Sequence, residues 1–68
     1  MPLTTRELEI LDYVAKGWSN SHIADHLCLS LHTVKNHVHN MIKKLQVTGR
    51  LEAVEYAQQH HWLSHYQL

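Results

Sequence analysis

Four cations of this chain stand in a stretch that contains no acidic residue. They are Lys35, Lys43, Lys44 and Arg50. All four lie between Asp25 and Glu52, although the whole protein has a formal net charge of zero. Positive charge without neighbouring carboxylates attracts phosphate groups, so the chemistry that this segment could support is nucleic-acid binding. A solvated helix face can carry the same pattern, and charge by itself does not separate the two.

Eight histidines in 68 residues suggest a second chemistry, metal binding. His22, His26, Cys28 and His32 have the spacing H-x₃-H-x-C-x₃-H. Structural zinc sites usually contain two or more cysteines, however. Metal binding here would also have to bend the tight turn around Cys28. We therefore expect no metal and no cofactor.

The histidines also suggest two weaker readings. Those in the basic segment gain charge below about pH 6.5, which would strengthen phosphate attraction modestly. His60, His61 and His65 are expected to form a polar C-terminal end rather than a site, with Trp62 and Leu63 closing the core.

Size and composition limit the function classes. Sixty-eight residues allow one domain, expected over 1–68, near the lower limit for a core without disulfides or metal. Cys28 beside His32 could suggest a nucleophile and a base, but so small a helical chain leaves no room for a substrate pocket. We expect no enzyme. One cysteine, no apolar run long enough to span a bilayer and no signal peptide favour the cytoplasm.

Capping residues and apolar periodicity predict the first two helices. Thr4 and Glu7 have the spacing of a capping box, which predicts a helix over roughly 5–16. Gly17 can adopt the left-handed conformation that ends it. Ser19 is expected to cap a second helix of only two turns.

The third helix, expected over about 31–45 and capped by Ser30, gives the clearest pattern. Its apolar stripe comprises Val34, Val38, Met41, Ile42 and Leu45. Its opposite face contains no carboxylate and carries His32, Lys35, Asn36, His39, Asn40 and Lys43. A fourth helix is expected from Arg50 to about Gln59. Its inward residues are predicted to be Leu51, Ala53, Val54 and Ala57.

Two short helices joined by a tight turn, the second basic and free of acid, form the arrangement by which a helix-turn-helix enters the DNA major groove. The residues that match one such family in detail are Leu3-Thr4-x-Arg6-Glu7-x-Glu9-Ile10-Leu11, Gly17-x-Ser19-Asn20-x-x-Ile23-Ala24-x-x-Leu27, Ser30-x-x-Thr33-Val34-Lys35-x-His37 and Lys44-Leu45-x-Val47-x-x-Arg50-x-x-Ala53-Val54-x-x-Ala57. From Leu3 to about Leu63 the chain resembles the LuxR-type helix-turn-helix domain. The resemblance implies an all-α, four-helix fold that forms the C-terminal DNA-binding half of bacterial regulators of the nitrate-response and quorum-sensing type.

The resemblance also implies which side chains read bases. The exposed positions that match the family's groove-facing stretch are Lys35, Asn36 and His39. Lys35 can donate to guanine, and Asn36 has the paired donor and acceptor that suit adenine. His39 departs from the basic residue that is common in related regulators. Its alternative reading is an exposed histidine that contacts only water.

Phosphate contacts are expected from residues around the recognition helix. They are Asn20, Ser30, Thr33, Lys43, Lys44 and Arg50. For Arg50 the alternative is an ion pair with Glu7 or Glu9. For His37 the alternative to a DNA contact is a packed position at the edge of the core.

In the family the last helix supplies the dimer contact. The matching outward residues are Glu52, Glu55, Tyr56 and Gln59. We expect a monomer in solution that forms a homodimer on two DNA half-sites. RNA polymerase is a further candidate partner. We expect no membrane partner and no small-molecule substrate. The chain is expected to be a domain of a longer regulator, with a stand-alone regulator as the alternative. A rival function is a helix-turn-helix module that has lost DNA binding and contacts RNA polymerase or another regulator.

Overall fold

The fold consists of four α-helices in the computed structural model, which describes residues 1–63. Helix α1 spans Thr5–Ala15, α2 spans Asn20–Leu27, α3 spans Leu31–Leu45 and α4 spans Arg50–Gln59. No strand occurs in residues 1–63. The expected all-α, four-helix class is confirmed. Each expected helix bound agrees with the structure to within one residue. None of these helices is long and apolar enough to cross a membrane.

Side-chain caps fix where the first three helices begin. The hydroxyl of Thr4 accepts a hydrogen bond from the backbone N–H of Glu7 at 3.1 Å, and the Glu7 carboxylate accepts one from the Thr4 N–H at 2.9 Å. Ser19 caps α2 and Ser30 caps α3 in the same way, each accepting from the N–H three residues on. These bonds satisfy backbone donors that have no partner within the helix, as the sequence predicted.

Each of the four helices is followed within two residues by a residue in the left-handed region. Gly17 has φ of 88° at the end of α1, where the conformation costs glycine little. The other helices use non-glycine residues there: Cys28, Gln46 and His61, with φ between 56° and 58°. After each of them a backbone N–H donates to a carbonyl five residues earlier. These bonds join Trp18 to Tyr13, Leu29 to Ala24, Val47 to Ile42 and Trp62 to Ala57. The repeated geometry makes every connection short and sharp.

The core lies between α3 and the other three helices. Its buried apolar residues are Leu3, Ile10, Leu11, Val14, Ile23, Ala24, Val34, Val38, Met41, Leu45, Ala53, Val54, Ala57 and Leu63. Leu63 is buried and Trp62 packs against the core, as predicted, whereas His65 lies outside the described residues. The prediction for Leu51 was wrong, because this side chain is 78% exposed. The buried residues of α4 are therefore the small Ala53, Val54 and Ala57, and the half-buried Tyr56 packs against the core beside them.

Helices α2 and α3 form a helix-turn-helix. Only Cys28, Leu29 and Ser30 connect them, and the left-handed Cys28 followed by the Ser30 cap turns the chain within that length. Helices α1 and α4 pack on the inner side of α3. This packing leaves the opposite side of α3 without a covering element.

Candidate nucleic-acid interface

The uncovered face of α3 is polar and contains no carboxylate. Its residues His32, Lys35, Asn36, His39, Asn40 and Lys43 are all exposed. Neither Lys35 nor Lys43 forms an ion pair or a hydrogen bond with another residue of the described chain. Their charges are consequently free to act on an external anion. His37, in contrast, is half-buried, in agreement with a packed position at the edge of the core.

The three side chains expected to read bases lie exposed on α3 at spacings i, i+1 and i+4. One of them, Asn36, also contacts a second side chain of α3. The Asn36 side-chain amide nitrogen lies 3.3 Å from Nε2 of His32, one helical turn earlier. The i, i+4 spacing on one helix was the signal that could have revealed this pair.

Ser30 and Thr33 form a hydroxyl pair at the start of α3. The Ser30 hydroxyl donates to Oγ1 of Thr33 at 2.8 Å and accepts from the Thr33 N–H at 3.0 Å. Ser30 is exposed and Thr33 half-buried, and no acidic residue occupies the first turn of the helix. The positive end of the helix dipole thus faces outward beside two polar side chains, an arrangement that suits an anion.

Lys44 has an internal partner. Its ammonium nitrogen lies 2.8 Å from Oε1 of Glu7, whose side chain is only 4% exposed while that of Lys44 is 39% exposed. Burial raises the pKa of Glu7, but hydrogen bonds from Lys44 and from the Thr4 N–H and the charge of Lys44 outweigh it, and the pKa lies below 4.5. Lys44 therefore ties the end of α3 to the start of α1.

Arg50 links α4 to the turn between α1 and α2. Its guanidinium donates to Oδ1 of Asn20 at 2.8 Å and to the Trp18 carbonyl at 3.1 Å. The alternative expectation, an ion pair with Glu7 or Glu9, was wrong. Glu7 forms its ion pair with Lys44, and Glu9 forms one with Arg6 at 3.3 Å. The half-buried Arg50 carries its positive charge to the N-terminus of α2, together with Asn20.

An aromatic cluster covers the junction of α1 and α2. Trp18 is stacked between Tyr13, at a ring distance of 4.4 Å, and His22, at 3.8 Å. His26 meets both Tyr13 and Trp18 edge-on at 5.2 Å. In residues 1–63, no group of three or more histidine, cysteine or acidic side chains is arranged to hold a metal ion. Two histidines of the candidate zinc set are instead part of this cluster.

The outer face of α4 combines polar residues with one exposed leucine. Glu52 accepts two hydrogen bonds from Thr48 at 3.1 and 2.9 Å, which tie the turn before α4 to the first turn of the helix. Tyr56 is half-buried and stacks on His60 at 4.2 Å. Glu55 and Gln59 are exposed. Among the residues expected to form a dimer contact, two are thus held by neighbours within the chain.

Known proteins are similar to this chain in sequence and in fold. The response regulator protein VraR of Staphylococcus aureus is 52% identical over 58 residues, which cover 85% of this chain and 28% of VraR. The chain therefore spans little more than a quarter of the length of that relative. VraR of Staphylococcus epidermidis matches equally well.

Solved structures agree. The structure of the transcription factor GerE superposes with a TM-score of 0.89 at 38% identity, covering 94% of this chain and 96% of GerE. Response regulator ChrA of a heme-sensing two-component system gives a TM-score of 0.86 at 36% identity, covering 93% of this chain and 31% of ChrA. The sequence pattern of the bacterial regulatory proteins of the luxR family matches residues 1–57. The chain belongs to this family, and its four helices are the family's helix-turn-helix domain.

Proposed function

We propose that this domain binds double-stranded DNA sequence-specifically, as part of a bacterial transcriptional regulator, with α3 in the major groove. The observation that carries the proposal is the uncovered face of α3, which is exposed, cationic and free of carboxylates. An α-helix fits the width of the major groove, and the helix-turn-helix geometry presents this face to it. A protein with this role acts in the bacterial cytoplasm, at the nucleoid.

Base reading is assigned to Lys35, Asn36 and His39. Lys35 donates to the acceptors of guanine, and the Asn36 amide pairs with the N7 and N6 positions of adenine. His39 stands where related regulators often have a basic residue, and its imidazole supplies a weaker contact than lysine or arginine would. All three side chains are exposed, so none has to leave a packed position in order to reach a base.

Phosphate contacts surround this face. Ser30 and Thr33 present hydroxyl groups at the N-terminus of α3, and Lys43 contributes an unpaired charge at its far end. Asn20 and Arg50 form a second contact at the N-terminus of α2, where Arg50 holds the Asn20 amide in one orientation. Lys44 is shared with Glu7, and its contribution to phosphate binding is accordingly reduced.

The modest number of cations argues for two copies on one site. Affinity falls with salt by a slope of about 0.9 per neutralised phosphate, and few contacts leave a single domain weakly bound. We assign the dimer contact to the outer face of α4, with Glu52, Glu55, Tyr56 and Gln59. The exposed Leu51 lies one turn before Glu55 and supplies the apolar component of this face. The patch is small, so the domain is monomeric until DNA aligns two copies. RNA polymerase is a further partner that such a regulator would contact.

The assay is fluorescence anisotropy on a random duplex pool at two salt concentrations, followed by sequencing of the bound fraction. Lys35→Ala is compared with Lys16→Ala, because Lys16 is an exposed lysine outside α3 and its loss changes the net charge equally. We expect enrichment of a two-fold repeated half-site that Lys35→Ala abolishes and Lys16→Ala preserves. Salt-sensitive binding without enrichment would leave phosphate attraction alone. No binding at low salt would favour the protein-contact module instead.

The dimer is tested separately with Leu51→Glu. On a duplex with two half-sites, this variant should lose cooperative binding. On a duplex with one half-site, it should bind like the unaltered protein. Sedimentation should show a monomer without DNA, and a tight dimer at micromolar concentration would contradict the assignment.

A further inference from the structure

A hydrogen bond on the DNA-facing side of α3 connects a titratable ring to a side chain that reads bases. The Asn36 amide nitrogen lies 3.3 Å from Nε2 of His32. Both residues are exposed, and both lie on the carboxylate-free face. His32 is not among the side chains expected to read bases.

We propose that His32 is a positioning residue, which orients the Asn36 amide for adenine while its ring is neutral and reverses that orientation when its ring is protonated. The inference rests on the proposed DNA-binding function. It adds that sequence discrimination, rather than affinity alone, depends on pH.

Donor and acceptor chemistry gives the mechanism. An amide NH₂ group has two hydrogens and no acceptor, so its contact with Nε2 requires the neutral ring with its proton on Nδ1. One amide hydrogen then bonds to His32. The other hydrogen and Oδ1 remain available together as the donor and acceptor pair that adenine N7 and N6 require.

Protonation of His32 turns Nε2 into a donor. A donor facing the Asn36 NH₂ group is repelled, and the bond re-forms when the amide rotates by half a turn and offers Oδ1 to the ring. The edge presented to the base then has donor and acceptor exchanged, which no longer matches adenine. The same proton adds a positive charge that attracts phosphates irrespective of sequence. Acid should therefore raise non-specific affinity and lower discrimination at the position read by Asn36.

The surroundings leave His32 free to respond. On α3, its charged or titratable neighbours on the exposed face are Lys35, His39 and Lys43. On α2, the helix packed against this end of α3, those of the last turn and its cap are Asp25, His26 and Cys28. None of these six forms a hydrogen bond or ion pair with His32 in residues 1–63. His26, the other histidine among them on α2, contacts the Tyr13 and Trp18 rings. The acidic Glu7 of α1 is held by Lys44 at the other end of α3.

The first experiment needs no DNA. Proton NMR follows the Asn36 side-chain amide and the His32 ring of the free domain from about pH 8 to pH 5, the range in which histidines ordinarily titrate. The Asn36 amide signals should shift with the same midpoint as the His32 ring. His32→Gln, whose carboxamide oxygen accepts at every pH, should abolish that shift. His39→Gln is the control and should leave it unchanged. Amide signals that ignore the His32 midpoint would overturn the inference.

The second experiment measures discrimination on the selected half-site. Asn36→Ala first identifies the base pair that this residue reads, as the position where the variant loses preference. For the unaltered protein, the preference at that position should fall about two- to tenfold from about pH 7.5 to pH 5.5, the range expected for one re-formed hydrogen bond. For His32→Gln it should not change, while circular dichroism confirms the fold at both pH values.

The outcomes separate the inference from the proposed function. A protein without any sequence preference would refute the proposed function and the inference with it. A preference at the Asn36 position that does not vary with pH, or that varies equally in His32→Gln, would refute the inference alone.

Discussion

The ion pair between Glu7 and Lys44 is the sharpest target for a stability measurement, because one partner is buried and the other is not. The Glu7 side chain is 4% exposed and the Lys44 side chain 39%, with 2.8 Å between the charged atoms. Removing Lys44 leaves a buried carboxylate with only the Thr4 bonds. Removing the charge of Glu7 leaves an ammonium that can turn to water. The two changes should therefore have unequal costs.

The magnitudes follow from that asymmetry. Lys44→Met should lower the free energy of unfolding by about 2 to 3 kcal/mol, somewhat less than the loss of a partner from a fully buried pair. Glu7→Gln keeps an acceptor for the Thr4 N–H and, with the lysine screened by water, should cost about 1 kcal/mol. In the Lys44→Met background, Glu7→Gln should restore about 1 kcal/mol, because it removes the unpaired buried charge.

The pH dependence has a definite sign. Since the pKa of Glu7 in the folded protein lies below its unfolded value of 4.5, its ionisation stabilises the fold above about pH 4.5. That contribution is lost as the pH falls through the lower, folded pKa. The stability difference between the unaltered protein and Lys44→Met should be small near pH 3 and should grow toward pH 6.

Thermal and urea unfolding followed by circular dichroism measure these differences, at about 4 to 8 °C per kcal/mol for a domain of this size. Lys35→Met, which removes an unpaired lysine from the same helix, is the matched control and should change little. If Glu7→Gln lowered stability further in the Lys44→Met background, the buried charge could not be the cause of the loss.

Three further changes test other parts of the fold. Gln46→Gly should raise stability by about 0.5 to 1 kcal/mol, because Gln46 is exposed with φ of 56°; a lower melting temperature would contradict this. The Ile23 side chain has no exposed surface, so Ile23→Ala should lower the free energy of unfolding, measured in urea, by about 3 kcal/mol. A loss under about 1 kcal/mol would mean that the surrounding residues collapse into the cavity. Arg50→Met should lower the free energy of unfolding by about 1 to 2 kcal/mol, because Asn20 and the Trp18 carbonyl lose their donor. Arg50→Lys should be destabilised as well, because lysine lacks the planar guanidinium that reaches both acceptors. Full stability of Arg50→Lys would refute that geometry.

The helix boundaries were predictable because their causes are local. The reciprocal bonds of Thr4 and Glu7 and the serine caps each involve residues three apart in sequence. Gly17 marks its turn by the absence of a side chain. The apolar stripe of α3 repeats over enough turns to fix which face is buried. The exposed, acid-free face of α3 followed directly from that stripe.

The errors arose where the outcome depends on distant parts of the chain or on a weak pattern. Helix α4 has only two turns of apolar residues, and Leu51 lies roughly 110° around the helix from the centre of the face formed by its small buried residues. The partners of Arg50 are 30 and 32 residues away, and Lys44 reaches across 37 residues to Glu7. No spacing rule relates such positions. The stacking of Trp18 between Tyr13 and His22 was likewise not predictable without the geometry of the turn between α1 and α2.

The two long-range polar links have a consequence for folding kinetics. Most contacts of a helical domain are local, so we expect the helices and their apolar faces to assemble quickly. The Lys44–Glu7 and Arg50–Asn20 links join the chain across 37 and 30 residues, and we expect them to form after the rate-limiting step. Variants that lose them should fold at nearly the normal rate and unfold faster. These two links would then set how long each folded molecule persists, while the capped helices set how quickly it forms.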